Sequence, residues 1–195
     1  WAEPGSSLDR VRKIANCRSP ETGFARRTIL CDLNWTRLLG ARFAFASIFD
    51  HDLALRHLTK IEKLQLRHAP GSRTSALLFL GWLAVQLRWN LEPMLSSHLF
   101  VSPTGREITF TLEEGQPGCD LQLCRMEASA ISFEMARGPD SPYYELKMEG
   151  PEIPSHTRVV HAEREGDAES LLAELGRGGS HPLYFRALDV IRSLL

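Results

Sequence analysis

From Ala76 to Val85 every residue is apolar or glycine, and the run is followed by Gln86 and Arg88. A helix on a protein surface shows a polar stripe every third or fourth residue. Residues 72–89 therefore predict a central helix covered on most sides, yet one too short to cross a bilayer, which takes roughly 20 apolar residues. Ser72, Thr74 and Ser75 stand where hydroxyls cap the first free backbone N–H groups. Upstream, Asp32 is placed to cap a helix from Leu33 to about Phe49. Trp35, Leu38, Leu39, Phe45, Ile48 and Phe49 form its apolar side, and Arg37 and Arg42 interrupt it. Asp50-His51-Asp52 ends that helix. An imperfect period of two from about His57 to Arg67 predicts a strand, and Ala69-Pro70-Gly71 makes the turn into the central helix.

After Trp89 the texture changes to short alternating segments separated by Gly, Pro and Asp. Ile108, Phe110 and Leu112 mark one strand, Leu121 and Leu123 a second, and Ile131, Phe133 and Met135 a third. Tyr144, Leu146 and Met148 mark a fourth, and Val159-Val160 begins another. Linkers of this length favour antiparallel neighbours, because a parallel crossover needs a dozen or more residues. Two helices close the chain. The first, opened by Asp167 or Glu169, is expected to bury Leu171, Leu172 and Leu175, with Gly176 and Gly178-Gly179 ending it. The second packs through Leu183, Tyr184, Ala187, Leu188, Ile191 and Leu195. The expected fold class is α+β: an antiparallel sheet of about five or six strands packed against a central apolar helix and flanking helices.

Residues 1–31 form an arm before the domain at 32–195. Leu8, Val11, Ile14 and Ala15 share one side of a short predicted helix, and Arg18 to Arg27 reads as loop. Six Arg or Lys residues in the arm face only Glu3, Asp9 and Glu21. It is either a solvated segment or a basic docking element.

A chain of 195 residues with 43% hydrophobic and 24% charged positions is long enough for one real core. Its net charge of -1 offers no general attraction to nucleic acid or to anionic lipid. No signal peptide or membrane span is visible. Cys17, Cys31, Cys119 and Cys124 lack any CxxC or paired zinc spacing, so reduced thiols in a cytoplasmic protein are expected, with a redox role for any of them left open. Neither GxGxxG nor GxxxxGK[ST] occurs. The nearest approach is Ser72-Arg73-Thr74 between a strand and a helix start, where backbone N–H groups and the helix dipole favour an anion. Capping accounts for the same residues without a ligand. The seven histidines include no HExxH. Asp50-His51-Asp52 reads as a solvated turn, because neighbours at a helix end point in different directions. There is no GxSxG elbow. No catalytic residue, metal or cofactor is expected, and the chain reads as no enzyme.

Two stretches together carry a resemblance. Asp32-Leu33-Asn34-Trp35-Thr36-Arg37-Leu38, running on to Ile48-Phe49-Asp50, resembles the D-L-N-W-x-R-L … F-D signature of the glucose-6-phosphate dehydrogenase assembly proteins, the OpcA family. Ala76-Leu77-Leu78-Phe79-Leu80-Gly81-Trp82-Leu83-Ala84, with Leu87 and Trp89, resembles that family's L-L-x-G-W-L-A-x-x-L-x-W helix. Cys124 to Ala128 and the tail from Leu171 to Leu188 agree more loosely, and Gly40-Ala41-Arg42 departs from the family's W-R. The resemblance implies that 32–195 is the C-terminal α+β domain of such a protein, and that 1–31 is the remnant of a missing N-terminal half. It also implies a non-catalytic accessory protein that binds glucose-6-phosphate dehydrogenase and promotes its assembly or activation. Trp35, Arg37 and Arg42 are the implied contact set, since aromatic and Arg residues are the usual interface anchors. The alternative is a domain sensing a sugar phosphate or nucleotide, with its anion site at Ser72–Ser75.

Overall fold

A computed structural model describes residues 32–92, 99–151, 153–162, 166–177 and 181–194. The arm at 1–31, with its predicted helix, Cys17 and Cys31, lies outside the described residues. Helices α1 (Leu33–Arg37), α2 (Leu39–Ala46) and α3 (Asp52–His57) lead into strand β1 (Lys63–His68) and helix α4 (Arg73–Leu87). Strands β2 (Asn90–Leu91), β3 (Leu99–Val101), β4 (Glu107–Glu114), β5 (Leu121–Ala128), β6 (Ile131–Ala136), β7 (Tyr143–Gly150) and β8 (Ile153–His161) follow. Helices α5 (Asp167–Arg177) and α6 (Pro182–Ile191) end the fold.

The α+β class holds, but the sheet is larger and less uniform than the pattern predicts. Its eight strands run in the order β2-β3-β4-β1-β5-β6-β7-β8. The pair β1–β4 is parallel, with Leu64 opposite Phe110 and Leu66 opposite Leu112, and every other pair is antiparallel. The expectation of antiparallel neighbours counted only short linkers. The chain between β1 and β4 contains α4 and two small strands, which is ample for a crossover. Those two strands, β2 and β3, are too short to show a period.

One sheet face meets the helices. Leu64, Leu66, Ile108, Phe110, Met126, Phe133, Met135 and Leu146 are buried on it, and α4 lies within the same core. The opposite face carries charge pairs within and between strands. Arg67 meets Glu113 at 3.2 Å, and Arg125 meets both Glu127 and Glu134 at 3.1 Å. This alternation is the ordinary consequence of packing one side of a sheet.

Helix α4 is covered as expected: Ser75 to Val85 are all buried. It ends at Arg88 in the left-handed conformation (φ 57°), and the Trp89 N–H returns to the Ala84 carbonyl at 2.8 Å. Gly81 lets α6 approach. A Cβ there would sit 2.6 Å from the Ala187 carbonyl oxygen and 2.9 Å from Ile191 Cγ2.

Three local expectations need correcting. The predicted helix from Leu33 to Phe49 is broken at Leu38 and finishes as a 3₁₀ turn at Ser47–Asp50. The buried Arg42 side chain reaches back across that break to the carbonyls of Trp35 and Leu38. The strand expected from His57 is helical through His57 and a 3₁₀ turn through Lys60, and only Lys63–His68 is extended. Finally, α5 is turned the other way. Leu171, Leu172 and Leu175 are 48%, 68% and 67% exposed, while Ser170 and Glu174 are buried.

Candidate functional site

The tightest polar cluster joins the two ends of the domain. Asp32 Oδ1 accepts from the backbone N–H groups of Asn34 (2.9 Å) and Trp35 (3.4 Å), capping α1. Its Oδ2 accepts from the Tyr184 hydroxyl of α6 at 2.8 Å. Burial first, and then the Asp32 carboxylate, pushes the Tyr184 hydroxyl well above the usual tyrosine range. The Thr36 hydroxyl donates to Glu174 Oε1 of α5 at 2.6 Å, and Glu174 Oε2 lies 2.7 Å from His181 Nε2. Trp35 fills the space between, meeting Tyr184 edge-on at 5.5 Å. The Arg42 guanidinium stacks over the Trp35 ring at 3.7 Å and donates to the Trp35 carbonyl at 3.0 Å. Such a stack joins cation–π attraction to the satisfaction of a carbonyl left open by the helix break.

These contacts separate the three residues expected at a partner surface. Trp35 is 3% exposed and Arg42 7%, and both serve internal packing. Arg37 is exposed. It lines a cleft of about 520 Å³ together with Cys119, Asp120, Arg137, Asp140 and Tyr144. Arg137 Nε donates to the Ser141 carbonyl at 2.9 Å, and its guanidinium lies 5.3 Å from the Tyr144 ring. Burial raises the Tyr144 pKa, and Arg137 opposes that rise.

The predicted anion site borders the same cleft. Ser72 Oγ donates to Asp120 Oδ1 at 2.9 Å and Ser75 Oγ to Asp120 Oδ2 at 3.3 Å. Neither hydroxyl is needed for a cap: Ser72 makes no side-chain bond to the helix N–H groups. Arg73 is exposed and Thr74 half-buried. A carboxylate of the chain's own thus occupies the place where a phosphate would put its charge. No pattern of hydrophobic spacing points to Asp120, which sits in an irregular Gly118-Cys119-Asp120 link. Glu174 was also hidden, because an amphipathic reading puts it on the wet side of α5.

The other expected chemistry resolves into structure. His51 Nδ1 accepts from the Leu53 N–H at 3.3 Å and so caps α3. Among the described residues no group of three or more His, Cys, Asp or Glu side chains is placed to hold a metal ion. Cys119 and Cys124 are both thiols. Cys124 is fully buried, which raises its pKa and suppresses the thiolate. No described helix is long and apolar enough to cross a membrane.

Comparison with known proteins places the chain in a family. Residues 28–188 match the model of the C-terminal domain of the glucose-6-phosphate dehydrogenase subunit. The chain belongs to the OpcA family. An OpcA protein of the OxPP cycle from Nostoc punctiforme is 33% identical over 87 residues, which is 45% of this chain and 17% of that protein. One from Synechococcus elongatus is 31% identical over 77 residues, 36% of this chain and 17% of that protein. The chain thus matches under a fifth of the length of these OpcA relatives, 17% in each case. Among solved structures, KijD10, a 3-ketoreductase from Actinomadura kijaniata in complex with NADP, superposes with a TM-score of 0.51. It covers 85% of this chain and 57% of that one at 14% identity, a likeness of fold alone. Within the OpcA signature, Asp32, Trp35 and Thr36 hold α1 to α5 and α6, and only Arg37 of the residues expected at an interface looks outward.

Proposed function

We propose that this chain is the C-terminal part of a non-catalytic accessory protein that binds glucose-6-phosphate dehydrogenase in the cytoplasm and promotes its assembly or activation. The observation that carries the reading is the family match over residues 28–188. In this reading Arg37 and Arg137, which line the polar cleft, form part of the contact surface, and Trp35 and Arg42 set the position of α1 behind it. An activator of this kind works by linkage. It shifts the enzyme toward whichever conformation or oligomer it binds better, by the difference between the two affinities. Taking an enzyme from 1% to 99% active needs roughly 5.5 kcal/mol of such preference. That calls for an interface of about 1,200–2,000 Å², so the cleft is one part of the contact.

The sugar-phosphate or nucleotide sensor has less in its favour, because a ligand at the start of α4 would compete with the Asp120 carboxylate. The test is sedimentation of the cognate dehydrogenase with this chain, and in parallel with the longer natural protein, alongside its rate of NADP reduction. A heavier complex with a raised rate is expected. An unchanged dehydrogenase in both arms would overturn the reading, and a thermal shift with glucose 6-phosphate alone would favour the sensor.

A further inference from the structure

Strand β8 stands at one end of the sheet and runs for nine residues. It pairs with β7, and among the described residues no strand pairs with its other edge. The phase of the ladder shows which backbone groups are left over. The Ala162 N–H donates to the Pro142 carbonyl at 2.7 Å, and the register continues with His161 opposite Tyr143. Bonded and non-bonded pairs alternate along an antiparallel ladder. Arg158 and Val160 therefore turn their backbone groups to β7, while Thr157, Val159 and His161 turn theirs outward. All three are exposed. An uncovered row of N–H and C=O groups is a template for one more strand.

Apolar side chains left out of the core gather along this edge. Phe43 is 69% exposed, Val159 57%, Tyr143 46% and Leu53 38%. Tyr143 and Val159 lie on the open side of the sheet, where Tyr143 meets the His161 ring edge-on at 5.6 Å. Two clefts lie on the helix side. Ile48, Leu53, Leu146 and Met148 line one of about 460 Å³, and Phe43, Ala44, Ala46 and Val160 line one of about 440 Å³. Ser47, Asp50 and Arg158 line both. Arg158 stands opposite Leu146 and so shares its helix-facing side. Side chains of an added strand alternate between the two faces, so every second one would meet Arg158 or an apolar cleft.

Charge selects the occupant. Arg158 makes no ion pair among the described residues. His51, His156 and His161 line the same clefts, and Asp50 is the one acid there. Lys147 lines the first cleft as well, with its ammonium 3.8 Å from Glu145. A second copy of β8 would bring another Arg158 and no Asp or Glu. The arm at 1–31 is itself basic, with six Arg or Lys against three acids. A strand carrying a carboxylate suits the edge better than either, because opposite charges across a strand pair attract and like charges repel.

We propose that the free edge of β8 binds an extended acidic segment of a partner protein. The segment adds another strand to the sheet, sets a carboxylate against Arg158 and places apolar side chains two residues to either side in the flanking clefts. Neither cleft shares a lining residue with the Arg37 cleft, so this second surface stands independently of the dehydrogenase.

The test uses the full chain and two synthetic peptides with blocked ends, Thr-Val-Thr-Glu-Thr-Val-Thr and the same peptide with Lys in place of Glu. Affinity is read by titration, and the seat by residue-resolved amide exchange. The Glu peptide is expected to bind saturably and to slow exchange at Thr157, Val159 and His161, while Arg158 and Val160 are slow from the start. The Lys peptide is expected to bind at least tenfold more weakly, and Arg158→Glu to reverse that preference. Val159→Pro removes an outward N–H and no ladder bond, so it is expected to keep the fold and lose the peptide. No saturable binding of the Glu peptide, equal binding of the two peptides, or full binding by Val159→Pro would overturn the proposal. So would slow exchange at Thr157, Val159 and His161 in the chain without peptide. That result assigns the edge to the chain's own residues or, where the protection grows with protein concentration, to a second copy.

Discussion

Helices α4 and α5 spend their leucines in opposite ways. In α4 every side chain from Ser75 to Val85 is buried, so no face is left for water. In α5 the buried positions are Ser170 and Glu174, and the leucines point out. Composition alone makes α5 an ordinary surface helix with its apolar side inward. It is reversed because α1 presents Thr36, and the start of α6 presents His181, as partners for a carboxylate. A buried carboxylate without such partners is costly, and with them it fixes the helix rotation. Hydrophobic burial sets α4; a polar network sets α5.

Mutations in the two helices separate these causes. Leu80→Ala in α4 removes a side chain with no exposure and is expected to cost about 2–5 kcal/mol, read from urea denaturation. In α5, Glu174→Ala takes the carboxylate from His181 and leaves the Thr36 hydroxyl only the Asp32 carbonyl at 3.2 Å, and is expected to cost about 1–3 kcal/mol. On the same inner side Ser170→Ala has the opposite sign. The buried Ser170 Oγ has no hydrogen-bond partner among the described residues, and alanine is the better helix former, so stability is expected to rise by up to about 1 kcal/mol. A loss in Ser170→Ala as large as that in Glu174→Ala would contradict a network centred on the carboxylate.

The same contrast explains what was legible in the sequence. The buried helix announces itself through run length, and β1, β4, β5, β6 and β7 through period two; of β8 (Ile153–His161) the pattern shows only Val159-Val160, which lie near its end and not at its start. Strands β2 and β3 are two and three residues long and carry no period. The parallel β1–β4 pairing is topological, and no local pattern encodes it. The break at Leu38 depends on the Arg42 side chain crossing back to two carbonyls, which spacing does not reveal. At the site, the Asp32 cap was readable because capping is local. Its second oxygen meets Tyr184 across 152 residues, and that contact exists only in the fold. Arg37 and Arg42 look alike in sequence as two charges on one helix. One stacks on Trp35 inside, and the other stays at the cleft.

The central claim is that the signature's inward residues hold the domain together while its outward arginine meets the dehydrogenase. The most direct test is the dissociation constant of the dehydrogenase complex for two variants, Arg37→Glu and Tyr184→Phe, each checked for folding. Tyr184→Phe, which loses one buried hydrogen bond to Asp32, is expected to lower stability by about 1 kcal/mol and leave the affinity unchanged. Arg37→Glu is expected to keep the stability and weaken binding at least tenfold, about 1.4 kcal/mol. Affinity lost in Tyr184→Phe and retained in Arg37→Glu would contradict the claim.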